Sequence, residues 1–501
     1  MIRRRAAARL AVAAAAGLVA SSAGAAALEL TPEVVAASRT LAGGIVAGGS
    51  SFETLGELAD GIGPRLSGSA GYERAVQWAV DRFHRAGIDD VHLEPVTLAR
   101  GWQRGTATAE LVAPQRRPLH VAAFGWSPPT PAGGLRAPIV ALRDITDAAI
   151  AEAGVRGAIV LLDRAALTGP APFQRNGAED YARQARYERL DRILAAAGAR
   201  AALVFAKTPN QVLRTSDPES GGIALALPMG SIGHEDGLLL QRRLELGAVT
   251  VELHLDTTLS GPVTISNVIA QIPGRELPNE VVMLGAHLDS WDLGTGAQDN
   301  GSGCAEVLEV ARAISALPRH PRRTLRFALW ASEEQGLNGS VAYVRAHAGE
   351  MKHLVAYLNS DTGAGRPTGW SVNGRPDVAD AIAPLAPLLR GLSGTTITND
   401  LSFDTDTGPF LIAGVPVLEL GVVEDEYDSL VHHKPADTLD KVDPRDLAAG
   451  AAVLAITAHA LAEVPRRPLL RLGRDGVEAI LRHAGALDYV RDSNLNDLWR
   501  D

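Results

Sequence analysis

The sequence predicts an α/β protein, a sheet domain interrupted by a β-rich insertion. From Ser266 onward short apolar strands alternate with helical patterns, as in a buried, mostly parallel sheet covered by helices. Between about 105 and 260 the texture changes to short β-like runs separated by Pro, Gly and polar clusters. The 501 residues, 46% of them hydrophobic, exceed what one ordinary core encloses, so two or three domains are expected.

The elements follow in order. Arg3, Arg4 and Arg5 precede an apolar run from Leu10 to Ala20 and then small residues, which reads as a secretory signal over residues 1–27. That run is too short to span a bilayer, and no later segment offers about 18 consecutive apolar residues. The expectation is therefore a secreted or periplasmic chain without a membrane span. Tyr72, Ala75, Val76, Ala79, Val80 and Phe83 recur at helical spacing before Gly87, and Val91 to Leu98 reads as a strand. Residues 28–104 thus form the first part of the sheet domain. In the insertion, 105–260, the expected strands are Ile139 to Leu142, Ala158 to Leu162, Ala201 to Phe205 and Ile223 to Leu227.

The second part of the sheet domain, 261–470, carries strands at Asn267 to Ile272, Val281 to Ala286, Thr324 to Trp330, Leu354 to Leu358 and Val415 to Leu420. Helices are expected from about 303 to 316 and from Leu447 to Leu461. The tail, 471–501, shows one helical pattern at Val477 to Ala484.

A formal net charge of -10 without any Lys/Arg block excludes nucleic acid as a partner, since phosphate binding needs a concentrated basic footprint. Cys304 is the only cysteine, so no intramolecular disulfide exists, and its helical surroundings make it a small core residue.

Two histidines and four carboxylates fall at or just after strand ends: His287, Asp299, Glu333 with Glu334, Asp361 and His433. In open α/β sheets ligands collect beyond the carboxyl ends of the strands, and these residue types suit two adjacent zinc ions and one general base. A shared carboxylate bridges metal centres roughly 3.5 to 4 Å apart. Asp299, in the Gly-rich loop Gly294 to Gly303, fits that place. His287 and Asp361 would complete one ion. Glu334 and His433 would complete the other, although on local spacing His432 would serve as well. Glu333 cannot share its neighbour's ion, because adjacent extended side chains diverge, and is left as the base. Asp289 would accept the second imidazole N–H of His287.

Several segments together carry a resemblance: Gly285-Ala286-His287-Leu288-Asp289-Ser290-Trp291-Asp292, Asp299-Asn300-Gly301-Ser302-Gly303, Trp330-Ala331-Ser332-Glu333-Glu334-Gln335-Gly336, Ser360-Asp361, Thr405-Asp406, and His433 followed by Asp437-Thr438. From about Gly61 to Leu461 the chain resembles the co-catalytic zinc exopeptidases of the zinc aminopeptidase and glutamate carboxypeptidase type. The resemblance implies a phosphorylase/hydrolase-like three-layer α/β/α peptidase domain bearing a protease-associated domain, the five ligands above and Glu333 as base. It implies a homodimer as well. Its pattern of His, three residues, then an acid favours His433 as ligand. Where family members often carry an oxyanion-stabilising tyrosine, this chain has His432, assigned that role here.

Weaker features are weighed against bland ones. His254-Leu255-Asp256 repeats the tripeptide of His287, yet alternates with Val249, Val251 and Leu253 as a solvated strand face does. Asp406 and Trp291 are candidates for the substrate pocket, against turn and packing roles. The favoured activity is hydrolysis of short peptides as an aminopeptidase or dipeptidase. A glutamate-type carboxypeptidase is the nearest rival and requires a basic anchor, with Arg366 and Arg375 as candidates. A one-zinc glutaminyl cyclase-like transferase and a catalytically dead binding protein are the rivals from other classes.

Overall fold

The computed structural model describes residues 27–167, 177–216, 221–423 and 427–500. Residues 1–26 of the expected signal segment lie outside them. Two eight-stranded sheets organise the chain.

The first sheet contains β1 (Val91–Leu98), β2 (Val263–Ile272), β3 (Leu277–His287), β4 (Arg323–Trp330), β5 (Leu354–Asn359), β6 (Pro367–Ser371), β7 (Thr396–Thr398) and β8 (Val417–Val422). Their spatial order is β1-β2-β4-β3-β5-β8-β6-β7. The centre, β4-β3-β5-β8, is parallel, as expected from its continuous apolar runs. The flanks are mixed, since β1 and β4 both run antiparallel to β2 and β6 runs antiparallel to β8.

Side chains alternate across this sheet. Val282, Leu284 and Ala286 of β3 face one helical layer, whereas Val281 and Met283 face another. The first layer comprises Pro32–Gly48, Ala70–Arg85, Ser302–Ser315 and Pro444–Glu463; the second comprises Asn338–Ala346, Thr407–Ile412 and the tail helix Arg474–Ala484. Pro444–Glu463 starts with proline after Asp443, whose carboxylate accepts the Arg445 N–H at 2.8 Å. It is long and apolar enough to cross a membrane, but Leu447 through Ala462 are largely buried against the sheet and the first helical layer.

The chain leaves this domain after β1 and returns before β2. Trp102–Gln103 and Thr258–Leu259 pair as an antiparallel ribbon at the crossing. Between them lies the second sheet, whose strands run from Ala107–Ala113 to Thr250–Leu255. Two corrections concern this segment. It is mixed α/β rather than β-rich, with helices Asp147–Ala153, Ala178–Glu188, Leu190–Ala197 and His234–Leu244. Ile223 to Leu227 is not a strand: Leu225 and Leu227 fill the local core from a loop, and the strand is Met229–Ile232. His254 lies on a partly exposed strand face, 3.2 Å from Glu252.

Candidate active site

Four segments converge beyond the carboxyl ends of β3, β4 and β5. His287 is the last residue of β3 and is buried. Its Nδ1 lies 3.0 Å from the Asp289 backbone carbonyl. A carbonyl only accepts, so Nδ1 carries a hydrogen and Nε2 is the atom left for a proton or a cation. Nε2 points at Asp299 Oδ1 and Asp361 Oδ1, each 3.2 Å away.

Asp299 turns its other oxygen toward the second half. Its Oδ2 is 3.5 Å from His433 Nε2, which lies 2.9 Å from Glu334 Oε2. Lone pairs facing one another at such distances repel unless a proton or cation stands between them. A cation bonded at roughly 2.0–2.1 Å to tetrahedral donors separates them by about 3.3–3.4 Å. His287, Asp361 and Asp299 fit that spacing as one set; on the other side the donors within mutual reach are Asp299, His432 and His433, with Glu334 Oε2 2.9 Å from His433 Nε2. The other oxygen of Glu334, buried without a hydrogen-bond partner, is a further free donor.

The histidine pair separates on distance. His432 Nε2 is 4.0 Å from Asp299 Oδ2, farther than His433, whose Nε2 also lies 2.9 Å from Glu334 Oε2. His432 turns Nδ1 to Asp428 at 3.2 Å and stacks beneath Tyr427 with centroids 5.2 Å apart. Its Nε2 edge still faces the centre.

Glu333 stands beside this arrangement, Oε2 3.9 Å from His287 Nε2. The turn after β4 places it there: Ser332 adopts φ +57°, and the Glu333 N–H donates to Asp289 Oδ1 at 3.1 Å. Asp289 also accepts the Ser67 hydroxyl at 3.0 Å. The expected hydrogen bond from His287 to the Asp289 carboxylate is therefore corrected, since Nδ1 is 3.6 Å from that carboxylate and closer to the carbonyl of the same residue. The carboxylate instead ties the turn that carries Glu333 to the loop after β3.

The glycines of 294–303 permit close approach. A Cβ on Gly303 would come within 2.3 Å of the Ser360 carbonyl, so glycine lets this loop press against the end of β5. Trp291 is buried against Trp126 and lies edge-on to His433 at 6.0 Å, bordering a small cavity with Asp299, Lys434 and Asp437. Asp406 lies within electrostatic reach of His287, Asp361 and Glu333 but is wholly buried, bonded to the Ser340 hydroxyl, because it starts the helix Thr407–Ile412 inside the second layer. Arg375 is excluded as an anchor, being buried in a bidentate pair with Asp377.

The model of peptidase family M28 matches residues 267–463. Carboxypeptidase Q of Rattus norvegicus is 30% identical over 420 residues, covering 83% of this chain and 85% of that protein. The chain belongs to peptidase family M28. A peptidase M28 precursor from Shewanella amazonensis has the same fold, with TM-score 0.77 at 32% identity over 88% of this chain and 98% of that one. A zinc aminopeptidase from Bacillus subtilis shares the fold at TM-score 0.63 and 21% identity, covering 84% of this chain and 97% of that one. As an M28 member the chain is a metallo-exopeptidase.

In this M28 peptidase the electrostatics follow from burying so many acids together. Burial pushes Glu333 well above the usual carboxylate range, and Asp361 and Asp406 add to it against His287. Burial does the same to Glu334, with Asp299 adding to it. Burial opposes protonation of His287, yet Asp361 and Glu333 outweigh it and hold the imidazole well above its ordinary range.

Several supporting residues escape sequence reasoning. Glu419 of β8 accepts the Asp361 N–H at 3.1 Å and the Asn359 amide at 3.0 Å, and burial pushes it up to about 8. Glu306 accepts the Ser360 hydroxyl at 2.6 Å. Asp437, already singled out by its spacing from His433, accepts the N–H groups of Gln298 and Asp299 at 2.7 and 3.2 Å, a role its spacing does not reveal. Buried Arg65 donates to the carbonyls of Leu288, Thr295 and Gly296 at 2.7–2.8 Å, tying two loops together. A charge inside an apolar run, as in Val417-Leu418-Glu419-Leu420, is the one available signal; Arg65 gives none.

Proposed function

We propose that this chain is an exported di-zinc exopeptidase that hydrolyses short peptides, as an aminopeptidase or dipeptidase. The observation that carries the reading is Asp299 aiming one oxygen at His287 and the other toward His433. His287, Asp361 and Asp299 would hold one ion, and His433, Glu334 and Asp299 the other. Zinc suits a mixed set of imidazole and carboxylate donors. When bound, such a pair supplies Lewis-acid polarisation of a carbonyl and lowers the pKa of water.

The residues supply the rest. Glu333, outside both donor sets and 3.9 Å from His287 Nε2, takes the proton of the attacking water and passes it to the departing amine. Asp289 fixes the turn that aims it. His432, with Nδ1 on Asp428, faces the reacting side through Nε2 and would donate to the developing oxyanion. Trp291 forms part of the cavity wall beside His433. The inserted segment corresponds to the protease-associated domain of the resemblance, and export and dimer formation belong to the same reading.

Carboxypeptidase Q, 30% identical, keeps a carboxypeptidase as the competing specificity. The test combines metal analysis with turnover of a free dipeptide, its N-acetyl form and its C-terminal amide. Two ions per chain and preference for a free amino group are expected. Preference for the blocked amine sinks the aminopeptidase reading, and one ion per chain sinks the di-zinc centre.

A further inference from the structure

The two histidines of the centre are held by different parts of the chain. His287 ends a central strand, its Nδ1 on the Asp289 carbonyl and its own carbonyl 3.0 Å from the Cys304 thiol, all within the first domain. His433 sits in a loop after the turn Tyr427–Val431 at φ +57°, a conformation that residues other than glycine keep only when their surroundings impose it.

Bonds within its own loop, such as the Lys434 N–H to the Val431 carbonyl at 2.9 Å, hold part of it, and the rest comes from the inserted domain. Thr215 donates its backbone N–H at 3.0 Å and its hydroxyl at 3.3 Å to the His433 carbonyl. Thr208 donates its hydroxyl to the Ser429 carbonyl at 2.8 Å, fixing the turn that leads into His433. The segment making these contacts is rooted in the second sheet. The Arg214 N–H donates to Ser231 Oγ at 2.9 Å, the Gly125 N–H to the Thr215 carbonyl at 3.1 Å, and the N–H groups of Asn210 and Gln211 to Glu235 at 2.8 and 2.9 Å. Arg104 reaches the same Thr215 carbonyl while gripping Asp292 through both oxygens, at 2.6 and 2.8 Å.

Resting on the two-metal reading above, we infer that residues 208–215 of the inserted domain are a positioning element for one half of the metal centre, with Thr215 as the positioning residue for His433. The main-chain hook suits this because it is indifferent to the ring's tautomer. Arg214 is not: its Nη2 lies 3.4 Å from His433 Nδ1 and can only donate, whereas a ring that gives its Nε2 lone pair to a cation carries hydrogen on Nδ1. That contact must yield when Nε2 is taken. The Thr215 hook need not. The inserted domain then determines how tightly the ion shared by His433 and Glu334 is held, while the His287 half is set by the sheet.

The test is a calorimetric titration of the metal-stripped full chain with zinc, comparing wild type with Thr215→Val, Thr215→Ser and Thr208→Val. Wild type is expected to bind two ions. Thr215→Val, which removes the hydroxyl bond and keeps the N–H bond, should weaken one of them severalfold, as expected for loss of one neutral hydrogen bond, and leave the other unchanged. Thr215→Ser should restore it, and Thr208→Val, whose contact lies at the exposed rim, should weaken the same ion less. Equal weakening of both ions, or no change in either, overturns the inference. A wild type binding one ion overturns the reading beneath it, and the inference with it.

Discussion

His287 and His433 occupy matching places in the centre and stand in opposite fields. Around His287 are Asp361, Glu333, Asp289 and Asp299, and although burial works against it the ring is held well above its ordinary range. Around His433 burial is joined by His432, Arg214 and Lys434, and the ring is pushed well below that range. Residue type and position after an apolar run do not foretell this difference. The carboxylates at one half come from loops following the strands of a single sheet, whereas Arg214 reaches the other half from a separate sheet. In the two-metal centre proposed above, the first half would draw a cation into a ring of acids, whereas the second would rely on Glu334, on the shared Asp299 and on a backbone held by Thr215.

The largest effect expected bears on both halves equally. Glu333 reaches toward His287 Nε2 at 3.9 Å and belongs to neither ligand set. Glu333→Gln should lower kcat by roughly 10²–10⁴-fold while both ions stay bound. Activity is read on a dipeptide and metal content by elemental analysis. Loss of an ion together with activity would make Glu333 a ligand and merge the two halves into a different centre.

Next in size is a difference between the histidines themselves. His287 is 1% exposed at the end of a central strand, and removing its ring leaves Asp299 and Asp361 facing each other in a buried gap. His287→Ala should therefore cost the metal-free protein roughly 2–4 kcal/mol, a cavity together with uncompensated charge. His433 lies on a loop and makes its main-chain contacts through a carbonyl that alanine retains. His433→Ala should cost only about 1 kcal/mol. Denaturant unfolding in chelator measures both, and equal losses would dissolve the distinction between a sheet-built half and a loop-built half.

The same distinction governs what was legible in the sequence. Ligand-type residues after β3, β4 and β5 are visible because strand ends and apolar runs are local signals, and the structure brings all of them together. The residues that hold them are not visible, because their partners are remote: Arg65 and Leu288, Glu306 and Ser360, Thr215 and His433 meet only through tertiary structure. In the insertion the local signal itself misled. Ile223-Ala224-Leu225-Ala226-Leu227 alternates like a strand, yet Ala226 spends its N–H on Asp191 rather than on a neighbouring strand. The helices Ala178–Glu188 and Leu190–Ala197 went unread because arginines and acids dilute their apolar face, although Tyr181, Tyr187, Leu190 and Leu194 are buried.

The smallest effect concerns the proton economy beneath the His287 half. Glu306 projects from helix Ser302–Ser315 to the Ser360 hydroxyl, one residue before Asp361, and burial pushes it from 4.5 to about 8. The folded chain therefore holds this proton more tightly than the unfolded chain. The resulting stability is fully present below about 4.5 and is lost as pH rises toward 8, the reverse of a carboxylate paired with a cation. With metal removed, the melting temperature of the wild type should fall between pH 5 and pH 8, and Glu306→Gln should flatten that fall by on the order of a few degrees. Glutamine keeps the size and the acceptor for Ser360 but has no proton to lose. Identical slopes in the two proteins would mean that Glu306 ionises without penalty, and that the sheet-built half is less closed to water than the packing around Ser360 indicates.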